Sequence, residues 1–469
     1  MARKERNIVL ESVEVTDYAA EGKSLARVDG KVIFIEGGVP GDIVDIRLGK
    51  NKKDWAEGIV TRYHRLSNRR VDPFCEHFGV CGGCQWQMLP YAQQLVFKQQ
   101  QVTDHLNRIG KLQLPGISPI IGADKTTRYR NKMEYTFGTK RFLLPNELNN
   151  ATIRADQPVA GFHAKGVFDK VVNINTCHLQ DEPSNALRLA IRDFAISNDF
   201  PFYDIKNHTG WLRTMQVRVC TSGEIMLNIV VGYADEEKMS MLCDHVLKNF
   251  PSLTTLLYTI NSKFNDSLYD LEPVVVKGPG YVVENMEDFR FKIGPKSFFQ
   301  TNTLQGVKLY QVTREFAALQ GNETVYDLYC GTGSIGIFLS RLCKKIVGVE
   351  TVDEAVADAR ANCELNGIAH AQFFAGDVIR VCNDEFFERQ GKPDVIITDP
   401  PRAGMHEKLV TKIMEIGAPL VVYVSCNPAT QARDLALMSS MYSVEKVQPV
   451  DMFPHTHHIE NVVQLVRRG

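Results

Sequence analysis

The sequence predicts a multidomain protein with a small OB-like β-barrel at the N-terminus, a central α+β domain and a Rossmann-like, doubly wound α/β domain at the C-terminus. Three observations predict it. Short alternating strand patterns crowd residues 8–65 between turn signals. Apolar strands alternate with helical runs from residue 325 onwards. The length, 469 residues, is about three times a typical domain of ~150. The boundaries drawn from these patterns are 1–65, 66–290 and 291–469.

Hydrophobic residues make up 44% and charged residues 23% of the chain, which excludes a disordered, collagenous or coiled-coil protein. No stretch approaches the roughly 18 apolar residues of a membrane span. The opening Met-Ala-Arg-Lys-Glu-Arg-Asn has no apolar run behind it, so a cytoplasmic location is expected. Eleven cysteines in such a chain are expected to be reduced, metal-bound or catalytic rather than bridged. The net charge is −1, but residues 1–140 hold 22 basic against 16 acidic side chains. A basic front half suits a polyanion, although uneven surface composition gives the same imbalance.

In the N-terminal part, Ile8–Val15, Lys31–Ile35, Ile43–Leu48 and Ala56–Tyr63 read as strands. Asp29-Gly30, Gly37-Gly38 and Pro40-Gly41-Asp42 are the turns between them. Lys50, Lys52 and Lys53 beside a loop fit single-stranded nucleic acid and also fit solvated turn lysines. A cysteine group and a polar helical run, Tyr91–Ile109, follow. Further on, Thr214–Cys220 and Ile225–Val231 read as strands, and Pro183–Ile196 and Asp235–Asn249 as helices. The C-terminal series places strands at Val325–Tyr329, Lys345–Glu350, Ala371–Ala375, Asp394–Thr398, Leu420–Ser425, Tyr442–Pro449 and Asn461–Val466. Helices are expected at Ile335–Cys343 and Val352–Asn366.

Cys75-x5-Cys81-Gly82-Gly83-Cys84 is a compact soft-ligand set. Three thiols do not complete a site, and spacing does not pick a fourth. A [4Fe–4S] cluster, zinc and no metal all remain open.

Gly331, Gly333 and Gly336 match G-x-G-x-x-G between a strand and a helix, a turn that lets backbone approach a ligand. Glu350 ends the next strand, where a carboxylate can accept both hydroxyls of a ribose. A dinucleotide and S-adenosylmethionine fit these features equally. The fourth strand separates them, because it ends Asp399-Pro400-Pro401-Arg402. Proline suits a turn leaving a strand and has no role in pyrophosphate binding. The turn resembles the motif by which many methyltransferases hold an acceptor base. Those acting on amines usually end it in an aromatic residue, so Arg402 argues against an exocyclic amine.

The fifth strand ends Ser425-Cys426-Asn427-Pro428. Cysteine is a common small core residue, but an Asn-Pro turn that ends the strand there exposes the thiol as a candidate nucleophile. Glu460 lies just before the last strand, where a carboxylate is usually solvated. His455, His457 and His458 precede it and read better as a loop face than as metal ligands. One chemistry needs these parts together. Uracil C5 becomes nucleophilic when a thiolate adds to C6. After C5 takes a methyl group, a base must remove its proton so that the thiolate can leave. RNA cytosine-5 methyltransferases typically place the nucleophile beside the fourth-strand motif, and that stretch contains no cysteine here.

Together these residues resemble the RNA (uracil-5-)-methyltransferase family, close to its 23S rRNA branch, over nearly the whole chain. The resemblance implies a TRAM domain, an OB-like RNA-binding barrel, at residues 1–65. It implies a [4Fe–4S] cluster on Cys75, Cys81 and Cys84 with Cys177 as fourth ligand, and a class I methyltransferase domain at the C-terminus. Tyr129-Arg130-Asn131-Lys132-Met133-Glu134 is similar to a segment that guides RNA. Phe298-Phe299-Gln300-Thr301-Asn302 is similar to one whose glutamine contacts S-adenosylmethionine. The resemblance further implies Gln300, Tyr329, Ser334, Glu350, Asp377 and Asp399 around that cofactor, Cys426 as nucleophile and Glu460 as base. Other members carry Phe or Asn at the positions of Tyr329 and Ser334. The run Tyr91–Ile109 is expected to pack on the methyltransferase domain. The implied enzyme is a monomer acting on RNA, with rRNA favoured over tRNA because the tRNA branch generally lacks the barrel and the cysteines. A dinucleotide oxidoreductase, which gives Cys426 no role, and a non-catalytic iron–sulfur RNA-binding protein are the other classes.

Overall fold

The computed structural model describes residues 8–144, 146–148, 150 and 152–469. The stretch read above for an export signal, residues 1–7, lies outside them. No helix among the described residues is long and apolar enough to cross a membrane.

Six strands form the first sheet, in the order Val9–Glu14, Ile43–Asn51, Trp55–Arg65, Lys31–Glu36, Ser24–Val28, Asp17–Tyr18. Alternate residues Val13, Val15, Ala26, Ile33, Ile35, Val44, Ile46 and Ala56 form its own small core. Ser24–Val28 and Asp17–Tyr18 went unread in the sequence. Ser-Leu-Ala-Arg carries little β-branched signal, and its strand is held by pairing to Lys31–Glu36.

An eight-stranded sheet follows, with Leu212–Val219 paired to Ile225–Val231 on one side and Lys132–Gly138 on the other. Its core is shared with helices Ser184–Ser197 and Glu236–Asn249. Asp235 is not the first residue of the second helix but its cap, accepting from the Lys238 N–H at 3.0 Å.

The last sheet has seven strands: Ala371–Ala375, Lys345–Glu350, Thr324–Leu328, Val395–Thr398, Leu420–Ser425, Glu460–Arg467 and Tyr442–Val450. The first five run parallel, and Glu460–Arg467 runs antiparallel to both of its neighbours, Leu420–Ser425 and Tyr442–Val450. Neighbouring residues of one strand serve opposite faces. Val325, Ile346 and Val422 join a core with helix Thr303–Ala317, whereas Tyr326, Val347 and Val421 join a second core. The second core includes Val102 and Leu106 from helix Tyr91–Arg108, together with Ala432 and Leu435 of helix Pro428–Met438. The chain then runs along the sheet's edge, where the Ser118 and Ile121 N–H groups donate to the carbonyls of Val447 and Pro449. Residues 91–121 therefore pack on the C-terminal sheet although they lie between the first two parts in sequence.

Candidate active site

Order through the C-terminal sheet reverses between Thr324–Leu328 and Val395–Thr398, so a crevice opens at their C-terminal ends. From the first strand the chain turns through Tyr329, Gly331 and Gly333, with φ of 61°, 51° and 75°. Glycine takes such angles without penalty, but a tyrosine does so only where its surroundings hold it. The turn is fastened at both ends. Asp327 Oδ2 accepts from the Gly336 N–H at 2.8 Å, inside helix Ser334–Leu339. Glu350 Oε2 accepts from the Gly331 N–H at 3.1 Å, and its other oxygen accepts from the Thr351 and Val352 N–H groups at 2.7 and 3.0 Å.

Glu350, Tyr329 and Asp377 line one cavity of about 80 Å³. Asp377 caps the short helix Val378–Val381, accepting from the Ile379 N–H at 2.8 Å. The other three candidates meet around Tyr310, a residue of helix Thr303–Ala317 that the sequence reading missed. Its hydroxyl lies 2.8 Å from Ser334 Oγ. Burial above all, and then the Asp399 charge, oppose its ionisation, while hydrogen bonds from Ser334 and Gln300 act the other way. Gln300 is buried, and its carbonyl accepts from Asn131 Nδ2 at 2.8 Å. Nothing local marks Tyr310, because a buried helix tyrosine reads as core.

Cys426 follows strand Leu420–Ser425, and Asn427 caps the next helix with Pro428 in its first turn. Asn427 Nδ2 and the Thr430 hydroxyl both donate to the Arg402 carbonyl, at 3.0 and 3.2 Å, locking the Asp399–Arg402 turn beside the cysteine. Ser425 pairs with Asn461 across the antiparallel ladder. Cys426 and Glu460 are the next residues beyond this last pair, and the Glu460 charge acts on the Cys426 thiol. Glu460 is the first residue of the last strand rather than a residue before it, and it is only 5% exposed. The expectation of a solvated carboxylate is thus overturned, since this strand is paired on both sides, to Leu420–Ser425 and Tyr442–Val450.

Electrostatics follow from that burial. Desolvation raises Glu460 well above the usual carboxylate range, and the Asp399 charge raises it further. Asp399 is raised by burial to about 7. The Cys426 thiol is pushed up to about 12, first by burial and then by Glu460 and Asp399. Arg402 opposes the rise at both Glu460 and Cys426. Its Nη2 also donates to His458 Nδ1 at 3.0 Å. Burial, His457 and Arg402 push His458 down to about 3, so it is neutral and a poor base. A thiol, a carboxyl pair and a cation on one crevice can add sulfur to an electrophilic ring carbon and take a proton from the neighbouring atom.

The histidine-rich stretch is not a solvated face. His455 is 6% exposed, and its carbonyl accepts from the N–H groups of Gln85 and Trp86 at 2.8 and 3.0 Å. The Tyr129–Glu134 segment, read as guiding RNA, is partly structural. Tyr129 donates to the Pro454 carbonyl at 3.0 Å, and Asn131 bridges the Gln300 carbonyl and the Thr303 hydroxyl.

Six of the eleven cysteines are buried, Cys330 among them, and five are half-buried: Cys426 and the set Cys75, Cys81, Cys84 and Cys177. Those four line a single cavity of about 350 Å³, with Arg130 and Lys132 on its wall. No three His, Cys, Asp or Glu side chains among the described residues are placed to hold one metal ion.

The family model for tRNA (uracil-5-)-methyltransferases matches residues 280–468. A protein of Bacteroides thetaiotaomicron described as an uncharacterized RNA methyltransferase is 49% identical, covering 96% of this chain and 100% of its own. One of Chlorobaculum tepidum with the same description is 38% identical, covering 96% and 94%. Among solved structures, the tRNA (uracil-54, C5)-methyltransferase of Pyrococcus abyssi, in complex with S-adenosyl-L-homocysteine, superposes with a TM-score of 0.73 at 26% identity. That match covers 97% of this chain and 99% of the other. With a crevice of this architecture and relatives matching end to end, the chain belongs to the RNA uracil-5-methyltransferase family, whose methyl donor is S-adenosylmethionine.

Proposed function

We propose that this enzyme methylates uridine C5 through a covalent bond between Cys426 and C6, with Glu460 removing the C5 proton. The observation that carries this is the ladder ending at Ser425–Asn461, one step short of Cys426 and Glu460, with the Glu460 charge acting on the Cys426 thiol. Gln300, Tyr329, Ser334, Glu350, Asp377 and Asp399 would hold S-adenosylmethionine. When bound, it supplies an electrophilic sulfonium methyl group. Cys426 passes its proton to solvent water and adds as the thiolate to C6, which leaves C5 electron-rich. After C5 is methylated, Glu460 accepts its proton, the C5=C6 double bond re-forms, and the C6–S bond breaks to release Cys426 as the thiolate, which solvent water reprotonates. Glu460 must give up its own proton before that step, and Arg402 favours its ionised form.

The first sheet serves as a TRAM-type RNA-binding barrel in this reading. Cys75, Cys81, Cys84 and Cys177 hold a [4Fe–4S] cluster. Thiols arranged around a cavity, with no three converging on a point, suit a polynuclear cluster better than a zinc ion. Anaerobically purified protein should then carry about four irons. Stoichiometric zinc without iron would refute that assignment.

Among RNAs, 23S rRNA is our first reading, supported by the barrel and the four-cysteine cavity together. Transfer RNA is the second reading, because the Pyrococcus abyssi tRNA enzyme covers the same span of chain. Mapping 5-methyluridine in rRNA and tRNA from cells with and without the gene decides. Loss from 23S rRNA supports the first reading, and loss from tRNA alone supports the second. Loss from neither overturns uridine C5 as the target.

A further inference from the structure

Between strands Tyr442–Val450 and Glu460–Arg467 the chain runs without regular structure. At its middle, His455 takes a φ of 66°, a backbone state that a non-glycine residue keeps only when its neighbours fix it. They do so from the cysteine region. The Gln85 and Trp86 N–H groups donate to the His455 carbonyl at 2.8 and 3.0 Å. The His455 N–H donates to Gln94 Oε1 at 2.8 Å, and Gln94 Nε2 donates back to the Trp86 carbonyl at 3.0 Å. The Gln85 side chain reaches two residues further, where its Oε1 accepts from Nδ1–H of His457 at 2.7 Å. The His457 ring lies 4.2 Å from that of His458, which accepts from Arg402. Glu460 is two residues on.

Resting on the covalent reading above, we infer that Gln85 is a positioning residue for the last chemical step. It joins the cysteine loop, whose Cys84 immediately precedes it, to the segment that aims Glu460 at the C5 proton. The relay meets Arg402 only at its side chain, whereas the turn beside Cys426 is held through the Arg402 backbone carbonyl by Asn427 and Thr430. Loosening Gln85 therefore slows proton removal more than sulfur addition. The cysteine loop thereby gains a part in a reaction that transfers no electrons.

The test compares wild type, Gln85→Ala and Gln85→Glu, each purified anaerobically with its full chain. A uridine RNA with S-adenosylmethionine reports the steady-state fraction of protein–RNA adduct on a denaturing gel. A 5-fluorouridine RNA reports the rate of addition. Gln85→Ala should raise the uridine adduct roughly fivefold or more, with 5-fluorouridine addition within about twofold of wild type. Its iron content should be unchanged. Gln85→Glu keeps an acceptor oxygen facing His457 and should bring the adduct back toward the wild-type level. In a Glu460→Gln background, Gln85→Ala should add nothing further. The inference is overturned if Gln85→Ala turns over without accumulating adduct, or if 5-fluorouridine addition slows as much as turnover. If wild type itself forms no 5-fluorouridine adduct, the covalent reading fails, and this inference fails with it.

Discussion

A residue type can be read from a sequence, but a protonation state is set by what surrounds it. Cys426 and Glu460 were legible as a thiol and a carboxylate in the right order. Their burial was not, because it comes from an antiparallel strand returning beside the fifth parallel one. The proposed roles separate cleanly by mutation. Cys426→Ala should abolish both methylation and any covalent adduct. Glu460→Gln keeps the thiol, so addition and methyl transfer proceed while the proton stays on C5, and a methylated adduct should accumulate on a denaturing gel. Cys330 is buried behind the glycine turn, so residual 5-fluorouridine adduct in Cys426→Ala would contradict the assignment. The raised thiol sets the pH dependence. A group pushed up to about 12 is nearly all thiol at neutral pH, so its reactive fraction should climb about tenfold per pH unit. Glu460, also raised, moves toward its basic form in the same direction. The rate of 5-fluorouridine adduct formation should thus rise from pH 6 to 9 without a plateau. A plateau near neutrality would mean that Arg402 has already drawn the thiol into its thiolate form.

Whole elements were legible where their signal is local. Lys345–Glu350, Ala371–Ala375, Ile225–Val231 and Leu420–Ser425 lie where apolar runs and turn residues placed them. The last helix residues near Cys343 were over-read, since regular α-helix stops at Leu339 and a 3₁₀ turn follows to Leu342. Helix Thr303–Ala317 was missed as an element, although Asn302 marks its start. Asn302 Oδ1 accepts from the Gln305 N–H at 3.2 Å, and Nδ2 donates to the Met452 carbonyl at 2.9 Å. One side chain thus caps the helix carrying Tyr310 and ties it to the segment leading to Glu460. Replacing it with alanine removes the cap and orphans a buried carbonyl, a cost of about 1–3 kcal/mol. A lowered unfolding midpoint in urea should show it. Asn302→Asp keeps the cap, loses the donor and should fall between. If Asn302→Ala instead unfolds like wild type, packing alone holds this helix end.

At the scale of the molecule the three parts interlock more than a reading by boundaries suggests. Trp86, from the cysteine region, packs with Val39 and Tyr18 of the first sheet and with Phe97 of helix Tyr91–Arg108. That helix buries Lys98 against Asp451 at 2.6 Å, beside the segment that leads to Glu460. Such long-range contacts have no local sequence signal, which is why residues 91–121 could be placed on the C-terminal sheet only by resemblance. They also decide how RNA binding should be tested. Deleting residues 1–65 would strip cover from Trp86, so any loss of affinity would mix lost phosphate contacts with a disturbed active-site segment. Among the basic residues of the front half, Arg130 and Lys132 face the cysteine cavity, whereas Lys50, Lys52 and Lys53 are exposed on the first sheet. Lys50 lies 5.0 Å over the Trp55 ring, an arrangement suited to a base and its phosphate together. Reversing these three lysines to glutamate leaves the interlocking contacts intact. If they contact phosphates of single-stranded RNA, each releases about 0.7 counterions, and the slope of log K against log salt should flatten by about 2. S-adenosylmethionine affinity should not change, because its proposed residues all lie beyond residue 299. An unchanged salt slope would remove the first sheet from the phosphate contact and leave RNA binding to the other two parts.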